Sequence, residues 1–594
     1  MIDYCLPKDY AARSTANNFA DAPFVATEMV AQPEVFEAAD YLLRMSSRST
    51  IIDIGCGGAR KFRSVNYGGH YVGINFARQI GACRANYEPW GEWYEADLGQ
   101  RACIDLASLA SEQSVVVCAN VLERLLDPAP LVELLAACYA RGAIVITSTP
   151  DRIRVRGADH KGPPPGAFRV REWALDEYEK FLANSGLPAI FCGYTFGNSQ
   201  DAELNTGVTI HDIQVAQASA LTDPQNRPLA ILGIYNEADV IEEVVQDLIN
   251  QGCDVFVLDN WSDDGCWELL SRLVSLHPSA IRIERFPKDG PTDDFEWAKM
   301  LQRKEEIAVE HPNRWIIHSD GDEIRRSPFV GKSLAESLEI AARLGANRIN
   351  FTVLDFRPVD QGDYRPSTLT NAFKHFEFGM RPGHFVQHKA WLQGDARIDL
   401  ASSGGHVAQF EGAIDFRYKF LLQHYPVRSE NHGRRKILQE RAKRWAYEKT
   451  KLGWHTHYDS YTASSKFHWD KGALTAVDET FWQDHGLVIM TDLLQRRLRS
   501  QEVANHGTTD AAIELLAERE RLRELNEEQR LRLEHLTDQT ARMQAEIKAI
   551  HSSTTWRLLD FAKQLELRSP TTMAIARRLV QKARSAYRKI NLRR

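Results

Sequence analysis

The chain has 594 residues, too many for one domain, and two to four domains are expected. Hydrophobic residues make up 43% and charged ones 26%, an ordinary globular mix with ample material for large cores. The formal net charge of −7 gives no reason to expect nucleic acid as a partner.

All nine cysteines lie between Cys5 and Cys266 at irregular intervals, with no CxxC pair. That argues against a disulfide framework or a zinc site and suits a reducing compartment. The first residues, MIDYCLPKDYAAR, lack the basic-then-apolar pattern of a signal peptide. No apolar run approaches the ~20 residues that span a bilayer. A cytoplasmic protein is expected.

From Glu34 to Ile213 helix-like and strand-like segments alternate. "PEVFEAADYLLRM" has helical spacing and precedes the strand "TIIDIG"; "HYVGIN", "SVVVCANVL" and "GAIVITSTP" are further apolar runs, and "APLVELLAACYA" is helical. Such alternation predicts βαβ units, a parallel sheet and helices on both faces. "QASALTDPQNRP" is polar, carries two prolines and reads as a linker. A second α/β pattern then starts. "LAILGIY" and "DVFVLDN" are strands around the amphipathic helix "EADVIEEVVQDLINQG", and "GCWELLSRLVSLH", "AIRIERF", "RWIIHSD", "SLAESLEIAARLG" and "RINFTVLDF" follow. From Thr509 to Ile550 the chain is charged and helical. A seven-residue step through Leu515, Leu522, Gln529, Leu536, Met543 and Ile550 suits an imperfect coiled coil or a one-sided helix.

In "IIDIGCGGARK", Asp53, Gly55 and Gly57 stand where a strand turns into a helix. Glycines there let a ligand approach the backbone, and Arg60 at the third glycine's place counts against a dinucleotide. These residues resemble the first motif of the class I S-adenosylmethionine-dependent methyltransferases. "EADL", with Asp97 and Leu98, resembles their adenine-contacting segment. "VVCANVLERLLDP", with Asn120, Glu123 and Asp127, is similar to their fourth-strand motif, and "DHKGPPPGAFRVREW" is similar to a late loop. The resemblance implies S-adenosyl-L-methionine as cofactor, bound by Asp53, Gly55, Gly57, Asn75, Asp97, Leu98 and Asn120. Asn75 replaces the family's ribose-gripping acid, and Arg124 its usual His. His160, Glu123 and Asp151 are candidate bases for a hydroxyl acceptor.

Three strands of the second pattern end in acids: "YNEADV", "LDNWSDDG" and "SDGDE". Ligands of open α/β sheets sit at the carboxyl ends of strands, so Asn236, Glu237, Asp259, Asp264, Asp320 and Asp322 are expected to line one crevice. A diphosphate would be repelled there unless a hard divalent cation neutralised the acids. The competing expectation is that Asp320 to Glu323 pair with Arg325 and Arg326. The motifs resemble the GT-A fold of nucleotide-sugar glycosyltransferases, in particular family 2, and "LLQHYPVRSENHGRRKI" resembles the His-Tyr-x-x-Arg-Ser element of one subgroup. The resemblance implies Mn²⁺ or Mg²⁺ on Asp320, Asp322 and His424. It also implies a nucleoside-diphosphate sugar held by Asn236, Glu237, Asp259, Asp264, Asp320 and Arg428, with Lys436 nearby. Asp355 and Asp395 are the candidate catalytic bases.

The expected architecture is two consecutive α/β domains followed by a helical, partly coiled-coil tail. The first is a Rossmann-like methyltransferase domain (1–215), joined by a linker (216–228) to a GT-A domain (229–500); the tail is 501–594. After Pro570, "MAIARRLVQKARSAYRKI" forms a basic amphipathic helix able to lie on an anionic membrane. The expected partners are a glycan or lipid-linked saccharide acceptor, a second copy through the coiled coil, and the inner face of the membrane. The expected activity is sugar transfer, with O-methylation of the same glycan, in surface polysaccharide synthesis. The alternatives are a glycosyltransferase with a silent methyltransferase domain and a non-enzymatic coiled-coil assembly protein.

Overall fold

The computed structural model describes residues 3–493 apart from 16–30, 60, 63–68, 88–89, 166–167, 200, 202, 222–225, 363–367, 378–386, 442–443, 446–447 and 451–460. Beyond 500 it describes Arg578, Gln581, Lys582 and Ser585, which are helical. The chain divides into two compact units, Met1–Arg499 and Ser500–Arg594, and both α/β patterns lie in the first. The heptad stretch and most of the basic amphipathic run lie outside the described residues. No helix among the described residues is long and apolar enough to cross a membrane.

The first sheet has seven strands: β1 (Thr50–Ile54), β2 (His70–Asn75), β3 (Glu92–Glu95), β4 (Ser114–Ala119), β5 (Ile144–Pro150), β6 (Phe191–Thr195) and β7 (Thr206–Asp212). Their order is β3-β2-β1-β4-β5-β7-β6, parallel except for β7, which runs antiparallel to both β5 and β6. All residues of β4 and β5 are buried. That explains their unbroken apolar text, since a central parallel strand is covered on both faces. Helices α1 (Pro33–Met45), α2 (Ala77–Tyr87), α3 (Ala129–Ala140) and α4 (Leu175–Asn184) supply the cover. Helix α5 (Ile213–Ala220) follows β7 directly, so the segment expected to be a linker begins inside a helix.

The second sheet opens with a parallel quartet in the order β10-β9-β8-β11: β8 (Leu229–Ile234), β9 (Asp254–Asp259), β10 (Ile281–Arg285) and β11 (Trp315–Asp320). Helices α6 (Ile241–Asn250), α7 (Cys266–Leu276), α8 (Trp297–Val309) and α9 (Leu334–Arg343) alternate with these strands. In α6 the buried residues Ile241, Val244, Val245 and Leu248 recur at helical spacing and form its core face. Strands β12 (Glu323–Arg326), β13 (Arg348–Phe356), β14 (His375–Glu377), β15 (Gln387–Leu392), β16 (Phe420–His424) and β17 (Thr475–Ala476) extend the sheet. Strand β15 is antiparallel to β11 and β13, so β13 runs with β11; β16 is parallel to β13, and β12 is antiparallel to β16. Helix α10 (Phe481–Met490) returns to the first domain and packs on β6.

Candidate active sites

In the first domain, β1 and β4 deliver their ends side by side. Gly55 has φ +81, and a Cβ there would lie 2.3 Å from Val121 Cγ2. Gly57 has φ +55 with open space beside it, which suits close approach of a ligand. Asp53 is buried and accepts a hydrogen bond from the Tyr71 hydroxyl at 2.9 Å. Burial pushes its pKa up to about 6, against the pull of nearby Lys61 and of Tyr71. Asn75, at the end of β2, accepts from Phe76 N at 2.9 Å. Asp97 is exposed and accepts from Gly99 N at 3.0 Å, whereas the Leu98 side chain is buried in the core and leaves only its backbone for a ligand. Asn120 adopts φ +59, and its buried Oδ1 has no hydrogen-bond partner.

The three candidate bases separate cleanly. Asp151 is a structural cap, accepting from Arg154 N and Leu175 N at 2.8 Å each. His160 accepts from Gly162 N at 3.4 Å in a loop. Glu123 is fully buried; neither oxygen accepts a hydrogen bond, and Arg124 Nε is 3.5 Å away. Burial raises its pKa, with Arg124 and Arg169 opposing. The glycine cradle and the unpartnered Asn120 amide fit an adenosyl cofactor. Lys61 and Tyr71 beside Asp53 were not singled out in the sequence, although both lie in stretches quoted there.

In the second domain the register gathers the acids at one sheet edge. Ile234 pairs with Asp259, and Asp320 with Gly233, so β8, β9 and β11 end together. Asn236, in left-handed backbone at φ +56, holds Asp263 N through Oδ1 (3.0 Å) and donates to Glu440 (2.9 Å). Asp259 is fully buried; its Oδ1 accepts from Ser262, while Oδ2 has no hydrogen-bond partner, with Arg285 at 3.9 Å. Burial raises the pKa of Asp259, and the Ser262 bonds oppose it. Asp264 caps the loop, accepting from Ala238 N and Cys266 N. Arg444 lies 4.2 Å over the Tyr235 ring and donates to Asn260 Oδ1 at 2.8 Å. That residue carries no motif and was missed in the sequence.

Asp322 is buried. Lys436 bridges it to Glu237, at 2.7 and 2.8 Å. Burial alone would raise its pKa, but Lys436, His424 and Arg428 outweigh burial and hold it far below the usual carboxylate range. His424 Nε2 is 3.7 Å from Asp322 Oδ1, and its Nδ1 bonds Asp355 Oδ1 at 2.7 Å. Asp320 is more open, with 30% of its side chain exposed; its Oδ1 accepts no hydrogen bond, with Lys304 at 4.0 Å and Lys389 at 3.4 Å from Oδ2. Glu323 pairs with Arg325 and Lys389 at 2.6 Å each, whereas Arg326 reaches Asp247 at 2.8 Å. The local-pairing expectation therefore holds for Glu323 with Arg325 and for neither aspartate.

The residue types of Asp320, Asp322 and His424 suit a hard cation, and Asp355 fixes the imidazole's second nitrogen, but these three are not a group that gathers its ligand atoms within 4.8 Å among the described residues. Glu237, Asp239 and His432 do gather their ligand atoms within 4.8 Å. Arg428 donates to all three, with Asp239 Oδ2 at 2.6 Å and His432 Nε2 at 2.8 Å, so a guanidinium fills that place.

Three expectations are corrected. Asp355 is not an open base: it lies in register with His424 between β13 and β16 and orients that ring. Asp395 is exposed and follows Leu392, which pairs with Trp315 at the start of β11. Because β15 runs antiparallel to β11, Asp395 sits at the end of the sheet opposite Asp320. Arg428, 1% exposed and clamped by Glu237 and Asp239, holds the site's acids together instead of presenting its charge to a diphosphate.

The chain carries two α/β domains, a Rossmann-like sheet in the order β3-β2-β1-β4-β5-β7-β6 and a second, mixed sheet whose opening strands match a glycosyltransferase family. Residues 230–293 match the family model described as glycosyl transferase family 2, which covers the ends of β8 and β9 and stops short of Asp320. No curated protein matches the sequence. Among solved structures, the CcbJ methyltransferase of Streptomyces caelestis is 15% identical over 30% of this chain and 89% of its own, with a TM-score of 0.25. Human N-acetylserotonin methyltransferase, solved with SAM, is 14% identical over 30% of this chain and 51% of its own, with a TM-score of 0.21. Likenesses at that level carry no argument; the Rossmann-like fold of the first domain is read from its own strand order and glycine turn.

Proposed function

We propose that the second domain transfers a sugar from a nucleoside-diphosphate donor to a hydroxyl of a glycan or lipid-linked saccharide. The observation that carries this reading is the convergence of Glu237, Asp259, Asp320, Asp322 and His424 at the edge of the mixed second sheet where β8, β9, β11 and β16 end. Asp259 Oδ2, Arg285 and the Tyr235–Arg444 stack form the nucleoside end. Mn²⁺ or Mg²⁺ would be held by Asp320, Asp322 and His424, and when bound it would neutralise the departing diphosphate. Lys436 adds a buried positive charge, held by Glu237 and Asp322, beside the same oxygens, and stabilising developing charge is usually the largest catalytic contribution. Arg428 keeps Glu237 and Asp239 from repelling that charge pattern apart.

The first domain would bind S-adenosyl-L-methionine and methylate a hydroxyl of the same glycan, since tethering two transferases raises their local concentration on a shared substrate. One observation favours a silent first domain instead. Burial and, less strongly, Arg124 lower the pKa of Lys61 against the pull of Asp53, so basic side chains already stand near the carboxylate expected to face the cofactor. Cytoplasmic surface-polysaccharide synthesis, oligomerisation through 509–550 and membrane contact through the basic tail complete the proposal.

The test is donor binding and nucleotide-sugar hydrolysis with and without Mn²⁺, alongside S-adenosylmethionine binding. Asp322→Ala should abolish metal-dependent donor binding and leave methyl-donor binding intact. Equal loss of both would sink the assignment of Asp322 to the sugar-transfer site. Cofactor binding without turnover on any glycan would favour the silent first domain.

A further inference from the structure

The loops beyond β4 and β5 gather a cluster of arginines at the carboxyl edge of the first sheet. Arg124 follows β4, Arg156 ends the short helix Arg152–Arg156 after β5, and Arg169 comes from the loop that leads to α4. Backbone hydrogen bonds tie these three segments together: Val170 N donates to Glu123 O at 2.8 Å, and Arg152 N to Trp173 O at 2.7 Å.

Two carboxylates belong to the cluster, Glu123 and Glu172, and both are fully buried. Arg156 grips Glu172 through Nε and Nη2 at 3.3 Å each, and Arg169 reaches it through Nη1 at 2.9 Å. Arg124 Nε donates to Asn120 O at 2.7 Å and lies 3.5 Å from Glu123. Burial and, less strongly, Arg169 lower the pKa of Arg124 against the pull of Glu123, so a second guanidinium stands near it. The acids lie behind and the cations in front. The side chains of Arg124, Arg156 and Arg169 are 23%, 27% and 27% exposed, against 0% for each glutamate. A ligand therefore meets the guanidiniums before either glutamate, and three positive charges outnumber the two negative ones. Guanidinium forks match the edge of a carboxylate or phosphate, and side chains already fixed by internal partners lose little further freedom on binding. The same segments each expose one large apolar side chain, Leu126, Ile153 and Phe168, which suits a ligand with C–H faces beside its charge.

We propose that Arg124, Arg156 and Arg169 dock a carboxylate or phosphate group of the molecule that the first domain methylates, so that its acceptor is an acidic sugar. Asn120, whose carbonyl takes the Arg124 hydrogen bond, is expected to touch the cofactor, and this puts the anion beside the methyl donor. A negative acceptor offsets the basic side chains near Asp53 and is drawn toward a sulfonium cation. The proposal rests on the methyl-transfer reading above and names its substrate class.

The test is isothermal titration calorimetry on the full chain, with and without S-adenosylhomocysteine, using glucuronate, glucose 6-phosphate and glucose as probes. EDTA keeps metal-dependent binding in the second domain out of the readout. One or both acidic sugars should bind about tenfold or more tightly than glucose, and the tighter of the two identifies the docked group. Arg169→Gln should weaken that binding about tenfold, the scale of one charge-assisted hydrogen bond, and leave S-adenosylhomocysteine binding unchanged. Glu172→Gln releases Arg156 and Arg169 from their internal partner and should tighten acidic-sugar binding several-fold, an effect a purely structural cluster would not show. The double variant Arg169→Gln, Glu172→Gln leaves no carboxylate unpaired, so its unfolding temperature should stay near that of wild type while it binds more weakly than Glu172→Gln. No preference for acidic sugars over glucose, or equal binding in wild type and the single variants, overturns the proposal. Acidic-sugar binding that follows the variants while wild type binds no S-adenosylhomocysteine supports the arginine site and sinks the methyl-transfer reading instead.

Discussion

His424 is gripped through one nitrogen and faces Asp322 with the other. The grip is the carboxylate of Asp355, 2.7 Å from Nδ1, itself 4% exposed. Asp355→Asn keeps the shape but loses the charge that fixes the ring and raises its basicity. Mn²⁺ affinity, read by isothermal titration, should fall about 10–100-fold, and S-adenosylmethionine binding should not change. A second histidine makes a separate point about acid sensitivity. His211 in β7 is fully buried against the Thr209 hydroxyl (2.8 Å), and burial pushes its pKa down to about 4. The unfolded chain takes up that proton below about pH 6.5, the folded chain only near pH 4. This contribution to stability is therefore complete above about pH 6.5 and lost as pH falls toward 4, amounting to about 3 kcal/mol. Thermal unfolding of the first domain followed from pH 7 to 4 should drop less steeply in His211→Gln than in wild type.

Strand direction decides which acids become neighbours. Strands β8, β9, β11, β13 and β16 all finish at one edge, whereas β15 starts there, so Lys389 near its beginning meets Asp320 while Asp395 beyond its end is carried away. Antiparallel β12 brings Glu323 back to the same edge opposite His424. In the first domain the decisive element is the turn after β1, pressed against Val121, two residues beyond β4. At Gly55, positive φ and the 2.3 Å approach of Val121 both exclude a side chain. Gly55→Ala should abolish S-adenosylmethionine binding, because left-handed backbone costs a non-glycine residue about 1–3 kcal/mol and the methyl displaces the turn. Adding Val121→Ala removes the clash and leaves the backbone strain, so calorimetry of the double variant should show partial recovery.

At the scale of the whole molecule, the two α/β domains share a buried, charged seam. Asp212, at the end of β7, accepts from Arg417 Nε at 3.0 Å and from the Tyr418 hydroxyl at 2.9 Å. Arg154 reaches Asp484 at 2.6 Å, and Gly193 and Gly486 make room for contact between β6 and α10. Removing one side of a buried ion pair leaves a charge unpaired at a cost of about 3–5 kcal/mol. A fragment of residues 1–221 should therefore unfold well below the first domain's transition in the full chain. Co-expression with residues 226–493 should restore it. Equal unfolding temperatures for fragment and full chain would show that the seam contributes nothing.

Much of this was legible in the text of the chain. Apolar runs of strand length, amphipathic helices and glycine turns are local properties, so the two α/β patterns and the acidic strand ends could be read residue by residue. Asp53, Gly55, Asp259, Asp320 and Asp322 announced themselves because each sits in a short motif. What stayed hidden depends on partners far away in the chain: the direction of β15 that removes Asp395, the strand register that turns Asp355 into the support of His424, and the clamp that immobilises Arg428. Lys389 and Arg444 lie outside any motif, and only folding brings their charges to the second site. Local periodicity determined which segments could be strands and helices; tertiary pairing alone decided which side chains meet, because contact between residues a hundred positions apart has no signature in either stretch alone.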